Sequence, residues 1–397
     1  MLETRIAKEL AYISQAGLAR RITELYFVNP AQAQDRTGKT YLVLASNNYL
    51  GFTHAPEVIE AASRAALKFG TGSSGSRLTT GGTFIASELE KRLADFKHSE
   101  SALVFNTGYM TNLGVLYGLL QTGDVVFSDE LNHASIIDGC RISRCKVVVY
   151  KHNDMADLQR LLETEIVTGQ RFIVTDGVFS MDGDIADLPS LAVLKQQFNA
   201  FLIVDDAHGV GVIGNDGSGT ASHYGLTDVI DLQVGTLSKA LAAEGGYVAG
   251  KKILIDYLIN RSRPFIFSTA LAPATLAAAN AALLLLQTQA SKYLDSLRAN
   301  SRLMRRLLLE GGLNVVEGIT PIIPVVIGEA GLTMQFADRL KSKGILVSGI
   351  RPPTVPRGES RLRITVTAAH CEEQLRQAAQ IITALWQELK HGEKKEG

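Results

Sequence analysis

Val229-Ile230-Asp231-Leu232-Gln233-Val234 runs into Gly235-Thr236-Leu237-Ser238-Lys239-Ala240, and Gly245-Gly246-Tyr247-Val248-Ala249-Gly250 follows. The pattern predicts a buried strand, a small-residue turn carrying one lysine, and a second, glycine-rich strand. A lysine amine becomes a nucleophile when it is partly desolvated and its pKa falls. Small neighbours leave room for a flat molecule beside it. A lone lysine is more often a solvated surface charge, so the weight falls on what surrounds this one.

Upstream, Val204-Asp205-Asp206-Ala207-His208-Gly209 closes another apolar strand with two carboxylates and an imidazole. A Schiff-base lysine and an aspartate for a pyridinium nitrogen are the minimum that pyridoxal 5′-phosphate (PLP) demands. Working outward, short β-branched runs alternate with helical patterns. Strands are expected near 102–105, 125–127, 147–150, 172–175 and 201–204, and helices over 84–96, 108–120, 132–143, 155–162 and 188–198. Runs of four to six apolar residues without alternation suit strands buried on both faces. Strand–helix repetition implies a mostly parallel sheet, whose ligands sit at the carboxyl ends of the strands. The polar clusters lie there: Asn106-Thr107-Gly108-Tyr109, Ser128-Asp129, Asp176 to Ser180, Asp205 to His208, and Thr236 to Lys239.

Outside this block, apolar residues at helical spacing predict a helix over 3–26, and 29–40 reads as a link or small hairpin. Pro56 opens a helix that Gly70 stops. Gly70 to Gly82 is a loop of glycines and hydroxyls containing Arg77, read as functional rather than as a linker. After residue 270 come helices over 272–287 and 292–310, then strands near 322–327, 345–348 and 362–366 separated by a helix, and a last helix over 372–389. Arg361 and Arg363 share one strand face; a forked guanidinium is the best carboxylate anchor. Of these two and Arg351, at least one is expected to be a solvated arginine.

The 397 residues carry 40 basic and 40 acidic side chains, with 46% hydrophobic and 20% charged residues. That balance supports a large core and offers no bulk attraction to nucleic acid or an anionic membrane. Cys140, Cys145 and Cys371 have no metal-like spacing, and His133, His208 and His223 match no zinc pattern, so no metal is expected. An odd, sparse cysteine set, with no apolar leader after Met1, suits a cytoplasmic protein.

Ser46-Asn47-Asn48-Tyr49-Leu50-Gly51, Thr175-Asp176-Gly177-Val178-Phe179-Ser180-Met181-Asp182-Gly183, Val204 to Gly209 and Gly235 to Lys239 together resemble the α-oxoamine synthases. Those are PLP-dependent enzymes of the aspartate-aminotransferase fold (fold type I) that condense an amino acid with an acyl thioester and release carbon dioxide. The resemblance runs through nearly the whole chain in order. It implies an α/β protein with an N-terminal helix and linking segment (1–50), a large PLP-binding domain (51–288) and a smaller C-terminal α+β domain (289–397). Gly72 to Arg77, and Ile350 to Pro356 with Arg361 to Thr365, are most similar to the biotin-pathway member, which joins L-alanine to a pimeloyl thioester of coenzyme A or acyl carrier protein. Arg261-Ser262-Arg263-Pro264-Phe265 is as similar to the member that uses glycine and acetyl-CoA. A catalytically silent PLP-fold scaffold is the alternative from another class.

Carried over by motif, the resemblance implies that Lys239 holds PLP covalently and Asp205 pairs with the ring nitrogen. His133 would stack on the ring, and His208 and Ser180 would meet the ring oxygen. Gly108, Tyr109 and Thr236 would bind the phosphate, with Thr269 reaching it from a partner subunit of a homodimer. Asn47 and Arg363 would hold the amino-acid carboxylate. Arg20, or Arg21 beside it, would be the N-terminal substrate arginine. Ser76, in the glycine loop, would contact substrate, and Thr354 would line the acyl-chain path.

Overall fold

In the computed structural model, which describes residues 1–15, 18–20 and 22–396, the chain opens with α1 (Leu2–Gln15). The helix expected to reach residue 26 stops eleven residues short in the periodicity, and β1 (Tyr26–Asn29) follows instead. The reason is packing: α1 buries none of its residues and Ile22 is 95% exposed. Helical stability in proteins comes mainly from a buried apolar face, which this segment lacks. β1, β2 (Gln32–Gln34) and β3 (Thr40–Val43) form an antiparallel meander, within which Asn29 Oδ1 accepts from Ala31 N (3.0 Å) to tighten the first turn. α2 (Pro56–Phe69) has proline in its first turn and ends at Gly70, and α3 (Phe84–Phe96) is capped by the Thr83 side chain.

The centre alternates as its sequence implies. It contains β4 (Ser101–Phe105), α4 (Gly108–Leu119), β5 (Val125–Asp129), α5 (Ala134–Ser143), β6 (Lys146–Tyr150), α6 (Met155–Thr164), β7 (Arg171–Asp176), α7 (Leu188–Gln197), β8 (Ala200–Asp205), the short α8 (Thr220–His223), β9 (Leu232–Thr236) and β10 (Gly246–Gly250). The sheet order is β4-β10-β9-β8-β7-β5-β6. Only β10 runs against its neighbours, with Gly246 opposite both Phe105 and Thr236. β5 and β7 to β9 are buried along almost their whole length, so Val, Ile and Leu fill both faces. Leu202, fully buried in β8, illustrates the stake: truncation to Ala costs about 2–5 kcal/mol in such a core.

α9 (Lys252–Arg261) and α10 (Arg263–Ile266) lead to α11 (Pro273–Glu310). The two helices expected here are present, joined across a kink at Gln289, whose φ/ψ of −134/28° is non-helical. Its first part packs into the core shared with α2 and α3, through Leu276, Leu283 and Leu286. Met304 and Leu308 enter a second core. That second core belongs to β11 (Ile322–Gly328), α12 (Ala330–Ser342), β12 (Ile345–Leu346), β13 (Ser348–Ile350), β14 (Ser360–Thr365) and α13 (Glu372–Glu396). β11, β14 and β13 form an antiparallel sheet, while β12 pairs in parallel with β3, matching Ile345 to Leu42. Leu44 lies in this C-terminal core, so residues 40–44 are packed against the C-terminal elements. Among the described residues no helix is long and apolar enough to cross a membrane.

Candidate active site

Because β4, β5, β7, β8 and β9 point the same way, their carboxyl ends open onto one side of the sheet. There a cavity of about 220 Å³ is walled by Thr107, Gly108, Tyr109, His133, Ser135, Asp176, Ser180, Asp205, Ala207, His208, Thr236, Ser238 and Lys239. Eight of the expected residues line it, Gly108, Tyr109, His133, Ser180, Asp205, His208, Thr236 and Lys239, and the charge of Arg363 on β14 reaches Lys239 from outside the lining.

Each wall has its own chemistry. Thr107 caps α4, its Oγ1 accepting from Met110 N (3.0 Å). The first N–H groups of a helix have no partner within it, so Gly108 and Tyr109 offer donors to an anion. A Cβ on Gly108 would sit 3.2 Å from the Thr236 side chain, which explains why the smallest residue opens this helix. Thr236 Oγ1 accepts from Ser238 N (3.2 Å) and lies 2.8 Å from Ser238 Oγ, adding hydroxyls to the same wall. Across the cavity stand the buried carboxylates Asp205 and Asp176. Asp205 Oδ1 accepts from Ala207 N (3.0 Å), and Asp176 Oδ2 from His133 N (2.8 Å).

Electrostatics sort these groups. Burial pulls Lys239 below the usual lysine range and the Arg363 charge pulls the same way, while Asp205 and Asp176 oppose them. Burial and the neighbouring Asp205 charge push Asp176 well above the usual carboxylate range, against the hydrogen bond from His133 N, which lowers it. His208 is driven well down by burial and by Lys239, and His133 is lowered by burial despite Asp205. Both imidazoles are therefore neutral. Tyr49 OH lies 2.7 Å from His208 Nδ1, leaving the other ring nitrogen for the cavity.

PLP fits these walls. Its phosphate would meet the helix N–H groups and hydroxyls, its ring nitrogen an aspartate, and its aldehyde carbon a lysine of lowered basicity. At the edge, Arg363 Nη2 donates to Asn47 Oδ1 (3.2 Å) and Arg363 Nε donates to the Ser180 carbonyl. Arg361, its partner on β14, is also buried and is tied to Asp182 and Glu359. The expectation of a solvated arginine thus fails for both strand residues; Arg351 is half-buried.

Four expected residues lie elsewhere. Ser76 and Thr269 face each other in an isolated antiparallel bridge, and Asn106 Nδ2 donates to the Thr269 carbonyl (2.7 Å). Arg20 and Thr354 are exposed. Their segments meet at a groove of about 860 Å³ lined by Tyr12, Leu18, Arg351, Pro352 and Pro353. Arg21 lies outside the described residues. Conversely, Asp176, Thr107, Ser135 and Ser238 are cavity residues that motif reading did not single out. Asp176, Thr107 and Ser238 were visible as members of strand-end polar clusters; Ser135 carried no signal.

Residues 39–382 match the family described as aminotransferase class I and II. The chain is 49% identical over 385 residues to an 8-amino-7-oxononanoate synthase from Trichlorobacter lovleyi, covering 97% of this chain and 98% of that protein. The chain belongs to the 8-amino-7-oxononanoate synthase family. Among solved structures, a serine palmitoyltransferase from S. paucimobilis with a bound PLP–myriocin aldimine superimposes with a TM-score of 0.91 at 31% identity, covering 97% of each chain. An 8-amino-7-oxononanoate synthase from Francisella tularensis gives 0.76 at 30% identity, covering 89% of this chain and 98% of the other. The protein is a PLP-dependent acyltransferase of the α-oxoamine synthase group, with the aspartate-aminotransferase fold and a cofactor carried on lysine, as in the serine palmitoyltransferase structure with a PLP internal aldimine (TM-score 0.91, 31% identity).

Proposed function

We propose that the chain condenses L-alanine with a pimeloyl thioester, giving 8-amino-7-oxononanoate, carbon dioxide and free thiol for biotin biosynthesis. The observation that carries the substrate reading is the Arg363–Asn47 pair at 3.2 Å beside Lys239. A guanidinium and an amide on one wall form a receptor for the carboxylate of a small amino acid.

PLP, when bound to Lys239, supplies an electron-poor ring that takes up the electron pair left on the substrate's α-carbon. The chain's residues do the rest. Arg363 and Asn47 would hold the alanine carboxylate and so fix the orientation of its Cα–H bond. Lys239, whose basicity is lowered by burial, would take the Cα proton at Nζ. Asp205 holds the proton of the ring nitrogen, where a fixed carboxylate in a dry site stabilises positive charge. Neutral His133 covers one ring face without repelling that charge. Neutral His208, braced by Tyr49, would hydrogen-bond the ring oxygen together with Ser180. The new bond joins the alanine α-carbon to the thioester carbonyl carbon as the C–S bond breaks. The carboxyl then leaves as carbon dioxide, and a proton returned from Lys239 Nζ restores the α-carbon.

Thr269 and Ser76 stand together outside this chain's cavity, which supports a homodimer in which they complete the site of a partner subunit. The groove between Leu18 and Pro353 supports an acyl-chain path leading past Arg20 and Thr354. Three cysteines without disulfides support a cytoplasmic setting. The test is thiol release by purified protein with alanine or glycine, each with pimeloyl-CoA or acetyl-CoA. Release with alanine and pimeloyl-CoA alone is expected. A preference for glycine with acetyl-CoA would overturn the substrate reading and leave the cofactor site standing.

A further inference from the structure

Asn112 sits in α4 one helical turn after Gly108 and is 2% exposed. A buried asparagine inside a helix competes poorly with apolar residues unless its amide is bonded. Here Asn112 Nδ2 lies 2.6 Å from Asp205 Oδ2 and 2.9 Å from Ser135 Oγ. A carboxylate only accepts, so the amide nitrogen must face Asp205, and its second N–H is then aimed at Ser135. Ser135 Oγ, having accepted from Asn112, has one proton of its own. It donates that proton to His133 Nδ1, 2.7 Å away. The same nitrogen accepts from Ser135 N (3.2 Å). Every link therefore has one direction, and His133 carries its single proton on Nε2. Asn112 and Ser135 are both buried, and Asn112 does not line the cavity.

We propose that Asn112 is a positioning residue for the cofactor: it pins Asp205 at the ring nitrogen and, through Ser135, orients His133 against the ring face. This rests on the roles of Asp205 and His133 given under the proposed function. Two groups that touch the ring from different strands are thereby held in one frame by a residue that touches neither the cofactor nor the substrate. A charge-assisted hydrogen bond in a dry site is among the stronger single contacts a protein makes.

The test is a double-mutant cycle on the holoenzyme. Asn112→Ala is expected to raise the PLP dissociation constant about tenfold and to weaken the visible circular dichroism per bound PLP, which reports ring orientation. On an Asp205→Asn background the same change is expected to alter the constant less than about twofold, because the pinned group has lost its charge. Ser135→Ala, which keeps the Asn112–Asp205 bond, is expected to weaken the dichroism with a rise of about two- to threefold in the constant; it stands in if Asn112→Ala does not fold. Equal Asn112→Ala effects on both backgrounds, or an unchanged dichroism in Ser135→Ala, would overturn the proposal. An Asp205→Asn protein that binds PLP with unaltered affinity and dichroism would overturn the assignment of Asp205 first, and this proposal with it.

Discussion

Asp205 and Asp206 are neighbours in the chain, both buried and each within electrostatic reach of a lysine, yet they do opposite work. Asp206 turns away from the cavity to Lys97. Its Oδ2 lies 3.2 Å from Lys97 Nζ and accepts from Thr220 N (2.9 Å), while Oδ1 accepts from Thr220 Oγ1 (2.9 Å). Lys97 Nζ also donates to the Ser218 carbonyl. Room for this cluster is made by backbone: Gly219 has φ +114°, and a Cβ there would sit 1.7 Å from Asp206 Oδ2. Lys97 Nζ has two oxygen partners, each Asp206 oxygen is bonded, and both side chains are closed to solvent, at 0% and 2% exposure. Asp205 and Lys239 instead face an open cavity, and Lys239 is held below the usual lysine range. The lesson is that burial alone does not make a lysine reactive. A lysine whose partners are saturated braces the fold, whereas one left to face a cavity is available for chemistry.

Exchanging these two roles is the sharpest way to break the comparison. Lys239→Ala is expected to abolish covalent PLP and lower thiol release by at least about 10⁴-fold, with an unchanged melting temperature of the PLP-free protein. Retained turnover would mean that the wrong lysine has been chosen. Lys97→Ala should do the reverse. It leaves Asp206 buried and unpaired, which costs about 3–5 kcal/mol of stability, read as a lowered denaturation midpoint. The protein that remains folded should bind PLP with little loss. A stable Lys97→Ala protein with a damaged cofactor site would erase the distinction.

The arginines of β14 repeat the contrast at smaller scale. Arg361 is saturated by Asp182 and Glu359, whereas Arg363 shares its fork between the Ser180 carbonyl and Asn47 beside the cavity. Arg363→Ala is expected to raise the KM for alanine by about tenfold or more, with a small change in the thioester KM. Arg361→Ala should act on stability before it acts on either constant. Equal changes in both KM values for Arg363→Ala would count against carboxylate binding.

The smallest effect concerns the loop that carries Ser180. His152 bridges Asp129 (3.0 Å) and Asp184 (2.8 Å) behind it. Burial works against its charge, but the two carboxylates outweigh burial and raise its pKa to about 10. A histidine raised in the folded state stabilises fully below its unfolded pKa, about 6.5, and loses that contribution as pH rises through the folded value. The stability gap between wild type and His152→Gln should therefore be present at pH 6, on the order of 1 kcal/mol, and should close towards pH 10. A gap that widened with pH would refute the charged bridge.

Much of this was legible before any coordinates. Helix 56–69 was bounded by a proline start and a glycine stop, both local signals, and it runs as expected. The strand ends were legible because apolar β-branched runs stop abruptly at polar clusters, and four of the five clusters reach one cavity; Ser128-Asp129 does not line it, and β5 contributes through His133 further on. Less legible was the N-terminal helix, whose apolar spacing continues to residue 25 without a surface to bury it. Ser135 and Asn112 gave no motif; their meaning lies in a contact between two helices and a strand.

What the amino-acid order determined by itself is the list of elements, the parallel character of the central sheet and the presence of a lysine, an aspartate and two histidines at strand ends. These follow from local periodicity, turn chemistry and motif. What only tertiary structure decided is which of two adjacent aspartates faces the cavity and which of two lysines, Lys97 or Lys239, is turned to it. It also decided which of two arginines on one strand is free to bind. Those outcomes depend on partners distant in the chain, such as Thr220, Ser218 and Asp182, and local sequence carries no record of them.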